Sequence, residues 1–240
     1  RGRSMGAPTE QLIDTFGRVH RDLRISVTDR CNFRCTYCMP EEGMDWLARE
    51  DILTFEETAR LARIFVERFG VDSIRLTGGE PTVRAHLPVL VRLLAALRVG
   101  GDGPPVDLSL TTNGATLRNV AHDLAGAGLR RVNVSLDSLR RDRFQRLTRR
   151  DELAHVLEGI EAARTAGLDP VKVNVVLVGG VNDDEVVDFA RYGRDAGVTV
   201  RFIEFMPLDA DGGWERDQVV PQTEIVRRIA IAFPGVRFEL

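Results

Sequence analysis

From Leu23 to Phe205 the chain alternates two rhythms: short stretches with every second residue apolar, and longer ones with apolar residues every three or four. The first rhythm marks half-buried strands and the second amphipathic helices. Strands are predicted at 23–29, 73–78, 107–112, 131–137, 171–178 and 199–205, and helices at 55–69, 86–98, 117–127, 152–166, 183–196 and 222–232. Thr54 with Glu57 reads as a capping box, and Asn182 ahead of Asp183-Asp184-Glu185 as another helix start. Gly70, Gly128, Gly167 and Gly197 stand where helix stops belong. Strand and helix follow one another as six βα units without a linker or low-complexity run, which predicts one α/β domain.

Within the strands the two parities differ in kind. Leu23, Ile25, Ile74, Leu76, Leu108, Leu110, Val132, Val134, Val171, Val173 and Val175 occupy one, and Arg24, Arg75, Thr111, Asn133, Ser135, Lys172 and Asn174 the other. A sheet covered on both faces reads as near-continuous Val, Ile and Leu, and a closed eight-stranded barrel fills its interior with bulky aliphatics. One wet face therefore predicts an open, incomplete (βα)6 barrel of TIM type that holds a ligand. An antiparallel sheet with one solvated face gives the same alternation, but the intervening helices argue against it. Arg24, Arg75, Lys172 and Arg201 project inward on this register, which favours an anionic substrate. Lys172 is also the only lysine in the chain.

The composition, 43% hydrophobic and 29% charged with a net charge of −3, is that of a globular protein and carries no basic footprint for nucleic acid. No apolar run approaches the roughly 20 residues of a bilayer span, so no membrane association is expected. Residues 1–13 read as a disordered leader or cloning remnant, with the barrel domain at 14–240.

Cys31, Cys35 and Cys38 are the only cysteines, and their C-x3-C-x2-C loop directly follows the first strand. Barrel sites lie at that end of the strands. Tetrahedral structural zinc takes four ligands and disulfides an even number. An iron–sulfur cubane on three thiolates keeps one iron open to a small molecule, such as the amino-acid end of S-adenosylmethionine. Zinc with His20 as fourth ligand and inert buried thiols are the alternatives. Free thiols point to a reducing cytoplasm. After the second strand, Gly78-Gly79-Glu80-Pro81 supplies glycines that let a ligand approach the backbone and a carboxylate that could accept from an ammonium.

With these residues in view, the chain resembles the radical S-adenosylmethionine enzymes, and among them the GTP 3′,8-cyclase family of molybdenum-cofactor biosynthesis. The resemblance runs from about residue 14 to 220, through DTFGRVHRDLRISVTDRCNFRCTYCMPEEG, IRLTGGEP, LTTNG, RVNVSLDS, VKVNVV and RFIEFMP. It implies a 4Fe-4S cluster on Cys31, Cys35 and Cys38, and S-adenosylmethionine against Tyr37, Gly79, Glu80, Ser135 and Met206. It implies GTP against Arg24, Arg75, Thr111 and Lys172, to which the inward register adds Arg201. The implied reaction is radical conversion of GTP to (8S)-3′,8-cyclo-7,8-dihydroguanosine 5′-triphosphate, with no side chain acting as acid or base. A reductant protein or small-molecule electron donor, a downstream cyclic pyranopterin monophosphate synthase, and a homodimer among the allowed assemblies complete that picture. Family members continue past the barrel with three more cysteines for a second cluster; with three cysteines in all, the chain carries only the first set. An unpaired barrel edge is therefore expected near 199–205. A radical enzyme acting on a peptide or another nucleotide, and a non-catalytic metal-stabilised binding module, are the competing functions.

Overall fold

The computed structural model describes residues 10–40, 42–207 and 214–236. Residues 1–9 of the expected leader lie outside them, while its described end is tied to the domain by an antiparallel bridge from Ile13 to Val19.

Six strands form one wholly parallel sheet in chain order: β1 (Asp22–Ser26), β2 (Ser73–Thr77), β3 (Asp107–Thr112), β4 (Arg131–Ser135), β5 (Val171–Leu177) and β6 (Thr199–Glu204). All six lie where the alternation places them, β3 residue for residue and the others one or two residues shorter. Parallel neighbours joined through helices give the incomplete (βα)6 barrel anticipated above. Among the described residues β1 and β6 each pair on one side only, so the expected edge at 199–205 is present and β1 forms a second.

Among the described residues seven α-helices accompany the sheet: α1 (Phe55–Arg63), α2 (Leu87–Ala95), α3 (Ala121–Gly126), α4 (Arg141–Thr148), α5 (Leu153–Thr165), α6 (Val186–Ala196) and α7 (Gln222–Ala232). The capping box at Thr54 and Glu57 is formed, and Gly70, Gly128, Gly167 and Gly197 all take positive φ at helix ends. The 55–69 helix is realised as α1 followed by a π-turn over Ile64–Arg68, and 117–127 breaks into a short 3-10 turn and α3. Asn182 stands at the N-cap of the turn that opens 183–196, as expected, but without a capping bond; its amide is spent on the strand ends described below. Helix α4 has no counterpart among the predicted helices. Its sequence, RDRFQRLT, is dominated by charge, and only Phe144, Leu147 and Thr148 turn inward.

The apolar parity supplies the core. Ile74, Leu76, Leu108, Leu110, Val132, Val134, Val173 and Val175 are all fully buried, in one cluster with helix residues such as Leu90, Leu94, Leu124, Val156, Ile160 and Phe189. Each such side chain contributes about 1.5–3 kcal/mol on burial. The opposite parity is mostly half-buried or exposed, and it is where the candidate site lies.

Candidate active site

At the carboxyl end of β1 the chain turns into the cysteine loop, and α4 is the bed on which it rests. Arg34 N donates to Thr148 O (3.1 Å) and Thr36 N to Leu147 O (2.9 Å). Arg149, in the left-handed region at φ 53°, donates to the carbonyls of Arg34 and Met39 (3.2 Å each), and Arg150 Nε to Asn32 O (3.1 Å). Phe33, 3% exposed, meets Phe144 edge to face at 5.8 Å. The helix that the strand–helix rhythm does not reveal is thus the one that shapes the loop. Cys38 N and Met39 N both donate to Cys35 O (2.9 and 3.0 Å), closing the turn between the second and third cysteines.

Cys31 and Cys35 are half-buried and Cys38 exposed, all three as free thiols. Burial pushes each thiol above its ordinary range, Cys35 furthest, and negative charge on its neighbours adds to the shift for Cys31 and Cys35. Cys31 Sγ accepts from Phe33 N (3.4 Å) and lies 4.0 Å from Asn113 Nδ2. A cationic metal centre is what converts such thiols to thiolates. Among the described residues no three His, Cys, Asp or Glu side chains converge on a single-ion site. His20, the histidine considered for zinc, precedes β1 whereas the cysteines follow it, and it pairs with Asp14 at 3.6 Å. The donor set is three sulfurs in one loop, as an open-iron cluster requires.

Tyr37 turns under this loop and its hydroxyl donates to Asp137, a carboxylate just beyond β4 that also accepts from Val176 N (2.8 Å). Asp137 is 6% exposed, and burial lifts its carboxyl to about 6. Burial also raises the Tyr37 phenol, with Asp137's charge adding to it. Asn182 braces this point: its Nδ2 donates to Asp137 O (2.7 Å) and Val176 O (2.8 Å), and its Oδ1 accepts from Val178 N (2.8 Å). Buried Glu185 accepts from Ser138 Oγ and Leu139 N (2.7 Å each) and pairs with Arg143 of α4 at 2.5 Å. The β4 and β5 tips, α4 and the cysteine loop are therefore joined through side chains to which the sequence reading gives no such bracing role. Their signal in sequence is faint, since a buried Asp, Asn or Glu looks like any polar loop residue.

The Gly78-Gly79-Glu80-Pro81 turn is packed closely against the chain's own backbone. A Cβ on Gly79 would stand 2.3 Å from Asp29 O and 2.4 Å from Arg30 O, so glycine is required by the chain's own backbone. Gly79 N donates to Thr28 O and Glu80 N to Arg30 O (2.7 Å each), docking the turn onto the start of the cysteine loop. The Glu80 carboxylate, expected to face a ligand ammonium, is 1% exposed and turned inward. It accepts from Thr82 N (3.0 Å), Thr82 Oγ1 (2.5 Å), Thr112 Oγ1 (2.6 Å) and Asn113 N (2.6 Å). Burial raises its carboxyl, and these bonds oppose the shift.

Below the loop the polar parity lines the inner face. Arg24 pairs with Arg75, Arg75 with Ser109 and Ser109 with Arg131 across β1 to β4. A second row runs Thr111, Asn133, Lys172, Thr199 and a third Ser135, Asn174, Arg201. Lys172 is pushed below its ordinary range by burial first, then by Arg201, Arg131 and Arg75, with Asp107 opposing. Arg75 Nε and Asn174 Oδ1 are buried without a partner. Arg24 and Arg201 are exposed on the two edge strands, Thr111 and Ser135 are half-buried, and Met206 is 49% exposed just past β6. The inner face is therefore a cationic wall with unmet hydrogen-bonding capacity, capped by the three-cysteine loop.

Comparison with known proteins agrees with this geometry. Residues 25–193 match the Radical SAM superfamily. The chain is 53% identical over 222 residues to the GTP 3′,8-cyclase of Streptomyces coelicolor, spanning 92% of this chain and 64% of that protein. It is 51% identical over 218 residues to GTP 3′,8-cyclase 2 of Mycobacterium bovis, spanning 91% and 59%. The chain thus covers about three fifths of the curated relatives it matches. The fold is also that of HydG, a maturase of the FeFe-hydrogenase, with a TM-score of 0.64 at 17% identity over 89% of this chain and 49% of that one.

Proposed function

This chain belongs to the radical SAM superfamily, whose cofactors are a 4Fe-4S cluster and S-adenosylmethionine, and we propose that it is the barrel of a GTP 3′,8-cyclase. The proposed reaction is conversion of GTP to (8S)-3′,8-cyclo-7,8-dihydroguanosine 5′-triphosphate in molybdenum-cofactor biosynthesis. The observation that carries it is the cationic inner face beneath the cysteine loop, with Arg75 Nε buried and unpaired. A buried donor left unmet costs about 1–3 kcal/mol. A polyphosphate between Arg24, Arg75, Lys172 and Arg201 meets that donor and offsets the mutual repulsion of the cations. Relatives named GTP 3′,8-cyclase at about half identity support the same substrate.

In this reading Cys31, Cys35 and Cys38 would hold the cluster, with Tyr37, Gly79, Ser135 and Met206 around S-adenosylmethionine. When bound, the cofactor pair supplies one-electron reductive cleavage of a sulfonium and hence a carbon radical able to take hydrogen from ribose. The chain's own work is positional. Tyr37 and Asp137 fix the cysteine turn against the β4 tip. Glu80 shapes the Gly78–Gly79 turn through four internal hydrogen bonds, leaving that turn's backbone to meet the ligand. Thr111 and Lys172, neighbours of Asn133 in one row, orient the substrate beneath. An electron donor, a cyclic pyranopterin monophosphate synthase downstream, a homodimer and a cytoplasmic setting belong to the same proposal.

The test is product analysis after anaerobic incubation of the full-length reconstituted protein with GTP, S-adenosylmethionine and a reductant. The expected result is the cyclised nucleotide, formed only with all three present. Cleavage of S-adenosylmethionine with no affinity for GTP would sink the cyclase reading.

A further inference from the structure

Arg131 opens β4 on the inner parity, flanked in sequence by Val132 on the buried outer face. Register places it in one row with Arg24, Arg75 and Ser109, two of which are expected to meet the substrate. It shares a face with Lys172, whose register partner Asn133 stands two residues further along β4. Its ion-pair partner is Asp107 of β3, met by a terminal guanidinium nitrogen, with the two side chains 31% and 39% exposed. A guanidinium has five N–H donors, so this contact leaves most of its capacity unused. An ion pair this open to solvent contributes little to stability. The pair is therefore poorly explained as a structural fastening.

Depth along the barrel indicates what Arg131 reaches. Ser135, four residues on along β4, lies at the carboxyl end beside the cysteine loop, and at ~3.3 Å per residue Arg131 is about 13 Å below it. A nucleotide whose ribose sits under the loop extends its phosphates away from the reacting carbon, toward that depth. We propose that Arg131 is a specificity-determining residue that takes the terminal phosphate of the nucleoside triphosphate, with Asp107 holding the guanidinium in place until the substrate arrives. The site then counts phosphates: Arg75, Lys172 and Arg201 hold the inner part of the chain, and Arg131 distinguishes a triphosphate from shorter nucleotides.

This inference rests on the GTP reading above, and the experiment separates the two. Affinities for GTP, GDP and GMP are measured by equilibrium dialysis on the full-length anaerobic protein, for wild type, Arg131→Ala, Arg131→Lys and Asp107→Asn, with thermal unfolding of each. Arg131→Ala is expected to weaken GTP about tenfold, the effect of losing one charge-assisted contact, while leaving GMP unchanged. Arg131→Lys should restore part of the GTP preference, and Asp107→Asn should keep it. Equal weakening of GTP and GMP by Arg131→Ala, or an unchanged GTP-to-GMP ratio, overturns the proposal while the GTP reading stands. A wild-type protein that binds none of the three overturns both. If Arg131→Ala does not fold, the ratio in Arg131→Lys and Asp107→Asn decides: loss of triphosphate preference in Asp107→Asn as large as in Arg131→Lys marks the pair as structural.

Discussion

On the outward side of the sheet Ile74, Leu76, Leu108 and Leu110 are fully buried among helix residues, while one residue along on the inward side stand Arg75, Ser109 and Thr111. The two faces share one backbone, one register and one set of strand hydrogen bonds, yet they answer to different requirements. Outside, the apolar residues of the central strands are buried within the protein. Inside, Arg24, Arg75, Arg131, Lys172 and Arg201 share one face, with Asp107 an opposing charge, and Arg75 Nε and Asn174 Oδ1 find no partner. An unmet buried polar atom calls for an explanation, and a ligand in the barrel supplies one. The outer face is thus the source of stability and the inner face the site of function, and substitutions should separate the two.

The largest separation is expected at the rim. Replacing Cys31, Cys35 or Cys38 by Ala should abolish cluster loading in the full-length protein, read as loss of iron and of the visible absorbance after anaerobic reconstitution. Circular dichroism should show the barrel retained, because the loop is carried by α4 and not by the thiols. Next is the outer face. Leu110→Ala should cost about 2–5 kcal/mol of unfolding free energy, measured by urea denaturation, and the protein that remains folded should bind GTP as before. A cysteine variant that unfolds the barrel, or a Leu110 variant that selectively loses GTP, breaks the comparison.

A third test sits between the faces. Burial holds Asp137's carboxyl at about 6 in the folded protein, against about 3.9 in an unfolded chain. The folded state therefore binds this proton more tightly, so the associated stability is full below about pH 4 and declines as pH rises through 6. Asp137→Asn removes that decline: between pH 4 and 7 the cluster-free wild type should lose on the order of 3 kcal/mol relative to the variant. Parallel urea midpoints across that range would expose an error, since a constant difference contradicts the assignment. The smallest effect is expected at Lys172. Lys172→Ala should weaken GTP about tenfold, ~1.4 kcal/mol, with cleavage of S-adenosylmethionine spared, as a liquid-chromatography assay of 5′-deoxyadenosine can establish. Equal loss of both would make Lys172 a structural residue.

The barrel and the character of its interior were legible in the alternation alone, because a strand's side chains must point to opposite faces and a parallel sheet wet on one face is unusual. The three cysteines were equally plain, since a cluster loop draws all its ligands from one short segment. Helix α4 was not legible. Its residues are charged, its inward side is only Phe144, Leu147 and Thr148, and its value lies in the carbonyls of Leu147 and Thr148 that receive the cysteine loop. Nor was the role of Glu80. Beside two glycines it reads as a ligand-facing carboxylate, and only the approach of Thr82, Thr112 and Asn113 turns it into an internal clamp. Asp137, Asn182 and Glu185 share that history. Periodicity records what each residue does with its own neighbours along the chain, whereas a hydrogen bond between β4, β5 and a loop a hundred residues away exists only once the strand tips are side by side.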